Sequence, residues 1–339
     1  MAAEEGQVQR KLDSVISTLK AAPWKSGAFV HKKKLQDAMR NHGSVELMQR
    51  ADADAGKGLV AVKQMPNRWM TTSAAAFAQA YPKSSEQPWF DLGIVKFLNE
   101  HKFPYVCEFL GVFQDDSMSY VVTQFSTEGD LFSWCDSLSG FGVAREGKLR
   151  PLTRQIFSAV AWLHDLGICH RDLSLENILL NKGASGDLQV KLIDFGMSTT
   201  QRRTREVRGK QSYQAPEMHN KDADYDGFLT DAFALGVVIY CLTAQDYPWQ
   251  STQPSGCQLF NFVSMKGFRA FLERRKLRKG NGERLIDVFT PPFVEMMEGL
   301  LSLNSATRFT LGERCWSDSP ETMSRKSVWD LAWLDDWST

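Results

Sequence analysis

In His170-Arg171-Asp172-Leu173-Ser174-Leu175-Glu176-Asn177, a carboxylate, Asp172, precedes a side-chain amide, Asn177, by five residues. A carboxylate can take the proton of an attacking hydroxyl, and an amide oxygen is a hard ligand for a cation that bridges phosphates. Asp194, in Asp194-Phe195-Gly196, follows Asn177 by seventeen residues and offers a second hard oxygen. Magnesium is held in this way, through few carboxylates plus the phosphates of a substrate. Lys63 ends an Ala61-Val62-Lys63 run, where an ammonium can hold α- and β-phosphate oxygens. These groups suit phosphoryl transfer, with Asp172 as base, Asn177 and Asp194 on a metal, and Lys63 on the phosphates.

Such groups need rigid elements to carry them. Val8, Leu12, Val15, Ile16 and Leu19 recur at helical spacing and predict an N-terminal helix over residues 8–20. Leu59 to Lys63, after a Gly56-Lys57-Gly58 turn, reads as a buried strand, as do Tyr120–Phe125 and Val190–Ile193. Leu152, Ile156, Val160 and Leu163 predict a helix over residues 149–168, and the almost wholly apolar Thr230–Thr243 predicts one buried on all sides. A small strand-rich part therefore precedes a larger helical one. The basic patch Lys32, Lys33 and Lys34 reads as solvated surface. Forty basic and forty acidic side chains cancel, which gives no field for nucleic acid or an anionic membrane. No apolar run approaches the ~20 residues of a membrane span, and the mixed polar N-terminus reads as helix rather than signal peptide. Six cysteines without a CxxC pair read as reduced thiols. The expectation is a soluble protein of the cytoplasm, or of the nucleus.

The segment around Asp172, the Asp-Phe-Gly, the Ala-Val-Lys strand, Ala215-Pro216-Glu217 and a late Arg308 occur in order at compatible distances. With them the chain resembles a eukaryotic protein kinase of the serine/threonine type, from about residue 28 to about 316. The resemblance implies an α+β, bilobal fold. A small antiparallel sheet lobe with one key helix would occupy about 28–125, a hinge about 124–128 and a larger helical lobe about 129–316, with ATP between the lobes. Residues 1–27 would then be a helical extension, and 317–339 a Trp-rich tail packed on the large lobe. It also implies transfer of the γ-phosphoryl group of ATP to a protein serine or threonine, with ATP and magnesium bound. Residue by residue, it pairs Glu217 with Arg308 and puts Asp231 and Gly236 in a helix that anchors the catalytic loop. Thr123 falls at the gate of the adenine pocket. Gln124 to Ser126 form the hinge, and Asp130 lies near the ribose. Val45, Ala61 and Leu179 sandwich adenine, with plain core packing as the alternative for these three.

The departures are as informative. Aligning Gly43-Ser44-Val45 with the end of the family's glycine-rich lid puts Ala38 and Arg40 where its first two glycines belong. Arg40 there is either a solvated side chain or a guanidinium for phosphates. Counting back seven residues from Leu98 gives Asp91, not a glutamate, as the partner of Lys63, with Glu86 as the alternative. Ser174 replaces the lysine usual after the base, and Lys210 stands where a threonine is usual, so Lys210 is expected to restore the missing cation as part of the catalytic set. In the basic loop Met197–Gln214, Glu206 could pair with Arg171 in place of a phosphate, with Thr204, then Ser198 to Thr200, as phosphorylation sites. Glu176 resembles a carboxylate that reads basic peptides, whereas the basic loop favours acidic ones. Val60 to Trp69, the reduced lid and Asn99-Glu100 are similar to the divergent FIKK kinases of apicomplexan parasites, although Ala-Val-Lys-Gln stands in place of Phe-Ile-Lys-Lys. The missing glycines, Asp91 and Ser174 leave a second reading, an ATP-binding scaffold without turnover. Trp329 and Trp333, four apart, would share a helix face, either closing the large lobe or docking a partner.

Overall fold

The computed structural model describes residues 2–54, 57–183, 185–279, 281–317 and 325–335. Gly56 of the expected turn, most of the 317–327 stretch and Trp337 lie outside the described residues. The chain divides into two compact units. One takes in the chain up to Thr127 together with Lys191–Ser198; the other takes in Glu128–Val190 and the chain from Thr199 on. The fold is α+β.

The first unit runs α1 (Ala2–Thr18), β1 (Ala22–Pro23), β2 (Phe29–Ala38), β3 (Gly43–Arg50), β4 (Leu59–Pro66), α2 (Asn67–Met70), α3 (Ala74–Ala80), α4 (Pro88–Glu100), β5 (Phe109–Gln114) and β6 (Met118–Gln124). Its sheet has the order β1-β5-β6-β4-β3-β2; every pairing is antiparallel except the two-residue β1, which lies parallel to β5. The register sets Val45 opposite Lys63, Leu47 opposite Ala61, Ala61 opposite Thr123 and Lys63 opposite Val121. Cross-strand partners share a face, so Val45, Ala61, Lys63 and Thr123 lie on one side of the sheet. Met65 and Val121, also on that side, form a core with Leu92 of α4 and with Trp69, Met70, Phe77 and Val112. On the opposite face Met48, Val60, Val62, Tyr120 and Val122 pack under Trp24 and Phe29. Helix α4 is thus not the only helix of this unit. Leu12 of α1 is 1% exposed, and a Cβ added at Gly93 of α4 would run into Ile16 and Leu12. That close approach needs glycine.

The second unit is mostly helical: α5 (Leu131–Ser137), α6 (Gly142–Asp165), α7 (Gly227–Ala244), α8 (Gln258–Lys266), α9 (Phe268–Arg274), α10 (Leu285–Val288) and α11 (Pro291–Leu300). Every residue of α7 is buried; by length and composition it could cross a membrane, and here it is the core of the unit. Helix α6 begins seven residues before the expected Leu149, because its first turns bury charge rather than apolar groups. Arg145 donates to Leu242 O and Cys135 O, and Glu146 accepts from Thr290 N at 2.9 Å. Trp329 and Trp333 do not share a helix. They sit on two 3-10 turns, Val328–Asp330 and Ala332–Leu334. Trp333 donates to Glu146 Oε2 at 2.9 Å and packs on Phe293, while Trp329 donates to Leu311 O at 2.7 Å.

Candidate active site

In the first unit, strand β4 aims Lys63 toward α4. Its Nζ lies 3.2 Å from Asp91 Oδ2, and Asp91 Oδ1 accepts the backbone N–H of Phe195 at 2.9 Å. One aspartate therefore positions both the ammonium and the Asp-Phe-Gly segment. Gln87 N–H adds a bond to Gly196 O at 3.0 Å. Burial works against the Lys63 charge, but Asp91, Asp194 and Glu86 outweigh it and raise its pKa. Glu86 is not on Lys63. It accepts from Arg40 at 3.0 Å, and its pKa is raised by burial and by Asp194. Asp194 has a left-handed backbone, φ 64°, and its buried Oδ1 accepts no hydrogen bond among the described residues. A buried carboxylate oxygen left in this state fits a magnesium ligand.

The other expected contacts in this unit are mixed. Val45, Ala61 and Thr123 are half-buried on the Lys63 face. The Gln124 N–H is taken up by Glu108 O at 2.9 Å, and Ser126 is buried with its hydroxyl 3.4 Å from Cys107 Sγ. The Gln124 N–H is thus committed to Glu108.

In the second unit the loop bearing Asp172 hangs from α7. Asp231 accepts the backbone N–H groups of His170 at 2.7 Å and Arg171 at 2.8 Å, and Nε2 of His164 lies 3.0 Å from it. His164 Nδ1 meets Glu313 Oε1 at 2.7 Å. Burial opposes a charge on His164, yet the two carboxylates raise its pKa to about 9. The Asp231 bonds hold Arg171 at φ 64°, a strained conformation for a side chain of this size. Asp172 is 3% exposed; Asn177 Nδ2 donates to its carbonyl at 2.7 Å and to its Oδ2 at 3.2 Å. That fixes the carboxylate and leaves the amide oxygen of Asn177 as the end suited to a cation.

Lys210 Nζ donates to Ser174 Oγ at 2.9 Å and lies 2.9 Å from Glu176 Oε2. Gly209 before it has φ 82°, and a Cβ there would strike Arg171 O, so glycine is required twice over. Arg171, Asp172, Arg208, Gly209, Lys210 and Tyr213 line a recess. Arg171 is paired with Glu206 at 3.1 Å. Thr204, by contrast, is buried in a two-residue strand, Arg203–Thr204, opposite Tyr225, and Ser198 and Thr200 are buried too. These hydroxyls are not accessible to another kinase in this arrangement. Glu217 binds Arg308, with Nη2 to Oε2 at 2.9 Å. Asp130 caps α5 by accepting from Ser133 N at 2.7 Å, a role the sequence reading missed, and bridges to Leu179 through the backbone.

The model of the protein kinase domain matches residues 53–318. The chain belongs to the protein kinase domain family. Among curated proteins, this kinase domain is 35% identical over 157 residues to the protein kinase kin1 of Schizosaccharomyces pombe, covering 45% of the chain and 17% of that protein. It is 31% identical over 202 residues to the serine/threonine-protein kinase SIK2 of Gallus gallus, covering 57% of the chain and 24% of that protein. It is 33% identical over 176 residues to the CBL-interacting serine/threonine-protein kinase 26 of Arabidopsis thaliana, 50% of the chain and 38% of that protein. The alignments thus span less than two fifths of each of these relatives.

Proposed function

We propose that this kinase domain transfers the terminal phosphoryl group of ATP to a serine or threonine hydroxyl of a protein. The observation that carries the reading is Asp172: a buried carboxylate fixed by Asn177, on a loop hung from Asp231, facing a recess rich in cations. The hydroxyl oxygen attacks the γ-phosphorus, ADP leaves, and the hydroxyl proton passes to the Asp172 carboxylate. Lys63, its charge favoured by Asp91, holds α- and β-phosphate oxygens. Asp194 and Asn177 are the oxygen donors for magnesium, which when bound neutralises phosphate charge. Val45, Ala61 and Leu179 supply apolar surface for adenine, with Thr123, Gln124, Ser126 and Asp130 around it. Lys210 is the cation beside the base, in the place Ser174 vacates. Proteins bearing serine or threonine are the partners. The names of the relatives, serine/threonine-protein kinases among them, support this reading.

Labelled phosphate transfer from ATP to a generic protein tests it. Asp172→Asn should lower turnover by about a hundredfold or more while leaving ATP binding in place. Wild-type protein that binds Mg·ATP yet transfers nothing to any of a broad set of proteins would sink the proposal in favour of the scaffold.

A further inference from the structure

The turn between β2 and β3 stands where backbone amides of a glycine-rich lid would cover a phosphate. Here the turn is shaped by its own contacts. Met39–Asn41 form a 3-10 turn, and the His42 N–H donates back to Met39 O at 3.3 Å. Buried Asn41 accepts from Trp69 Nε1 at 3.2 Å, and the His42 ring meets Trp69 edge-on at 4.8 Å. Two neighbouring side chains pinned to one buried indole fix the shape of the turn. Residues with a Cβ also keep a backbone from approaching phosphate as glycine can.

What this turn presents is Arg40. Its Nη1 lies 3.0 Å from Glu86 Oε1; 46% of the Arg40 side chain is exposed, against 5% of the Glu86 side chain. Glu86 sits directly against Gly196, since a Cβ there would strike Glu86 Oε2. Asp194 and Lys63 are both close enough to act on Glu86 electrostatically. The guanidinium is therefore tethered beside the lysine and the aspartate that serve the phosphates and their metal, with half its surface open.

We propose that Arg40 is a phosphate ligand of this site, held ready on Glu86, and that it grips a nucleoside di- or triphosphate with a side chain where the lid lacks glycine amides. This rests on the nucleotide-dependent function proposed above. A guanidinium fork matches phosphate oxygens in two parallel bonds, and such charge-assisted bonds are the strong ones. Glu86 is a positioning residue: it touches Arg40, not the nucleotide.

Calorimetric titration of the full chain with Mg·ATP and with adenosine tests this. Arg40→Ala should weaken Mg·ATP binding about tenfold or more and adenosine binding by less than about twofold. Arg40→Lys should fall between the two, having charge without the fork. Glu86→Gln should raise KM for ATP with kcat little changed, a split that loose packing would not give. An Arg40→Ala protein that melts as the wild type does and keeps the wild-type ratio of ATP to adenosine affinity overturns the proposal. Should Arg40→Ala not fold, Arg40→Gln carries the same test by the same ratio. Wild type that binds neither probe would instead defeat the nucleotide-dependent function itself, and this inference with it.

Discussion

Lys210 and Ser174 meet although they lie 36 residues apart in the chain. The hydrogen bond between them, 2.9 Å, brings an ammonium from the loop before Ala-Pro-Glu to the residue two beyond Asp172. Charge redistributing over a transferring phosphoryl group needs such a cation near it. Lys210→Ala and Lys210→Thr are each expected to lower kcat by about tenfold to a hundredfold. Adding Ser174→Lys to Lys210→Thr should recover most of the loss in steady-state assays; full turnover in both single variants would refute the role. Groups of this kind are legible in a sequence when residue type and short spacing go together, as for Asp172 with Asn177, or when a motif carries them, as for Lys63 and Asp194. Asp91 could be counted along its helix, because a helix makes sequence distance into direction. The second bond of Asp91, to Phe195 N, and the Arg40–Glu86 pair could not, since they join segments with no shared period.

Among the elements, α6 and α7 are joined by one buried imidazole. His164 of α6 lies between Asp231 of α7 and Glu313, and its pKa rises from the ordinary 6.5 to about 9. The sign follows from linkage. A raised pKa means that the folded state binds the proton more tightly, so the stabilisation is complete below about pH 6.5 and is lost as pH rises through about 9. Its size is on the order of 3 kcal/mol. Urea unfolding should therefore find His164→Gln much less stable than wild type near about pH 6, with the gap narrowing above about pH 9. A gap that does not change with pH would contradict this. Helix existence was readable here, from the apolar run of α7 and the stripe of α6. The start of α6 was not, because Arg145 and Glu146 look like surface in a sequence and are 0% and 1% exposed in the fold.

On the scale of the molecule, the folded body reaches beyond the stretch that matches the kinase family. The match begins at residue 53, while β2 and β3 precede it and α1 closes on α4. Leu12 and Ile16 against Gly93 make that helix part of the core of its unit. Leu12→Ala should cost about 2–5 kcal/mol, read as a lower midpoint in urea with the slope unchanged. A cost near zero would mark the helix as an appendage. The α+β class and the strand-then-helix order could be read early, because alternation and helical spacing report burial directly; the parallel β1, two residues long, is too short to leave any such trace.

Strand β2 gives the sheet an open edge, and nothing in a net charge of zero keeps two copies of this molecule apart near neutral pH. The edge carries its own deterrent. His31, Lys32, Lys33 and Lys34 are exposed along it, and irregular register at His31/Lys33 and Lys34/Gln36 bends its ladder. A second sheet edge approaching β2 would have to strip water from a row of ammonium groups and match a bulged backbone. The ten residues of β2 thus make this edge a poor template for a second strand.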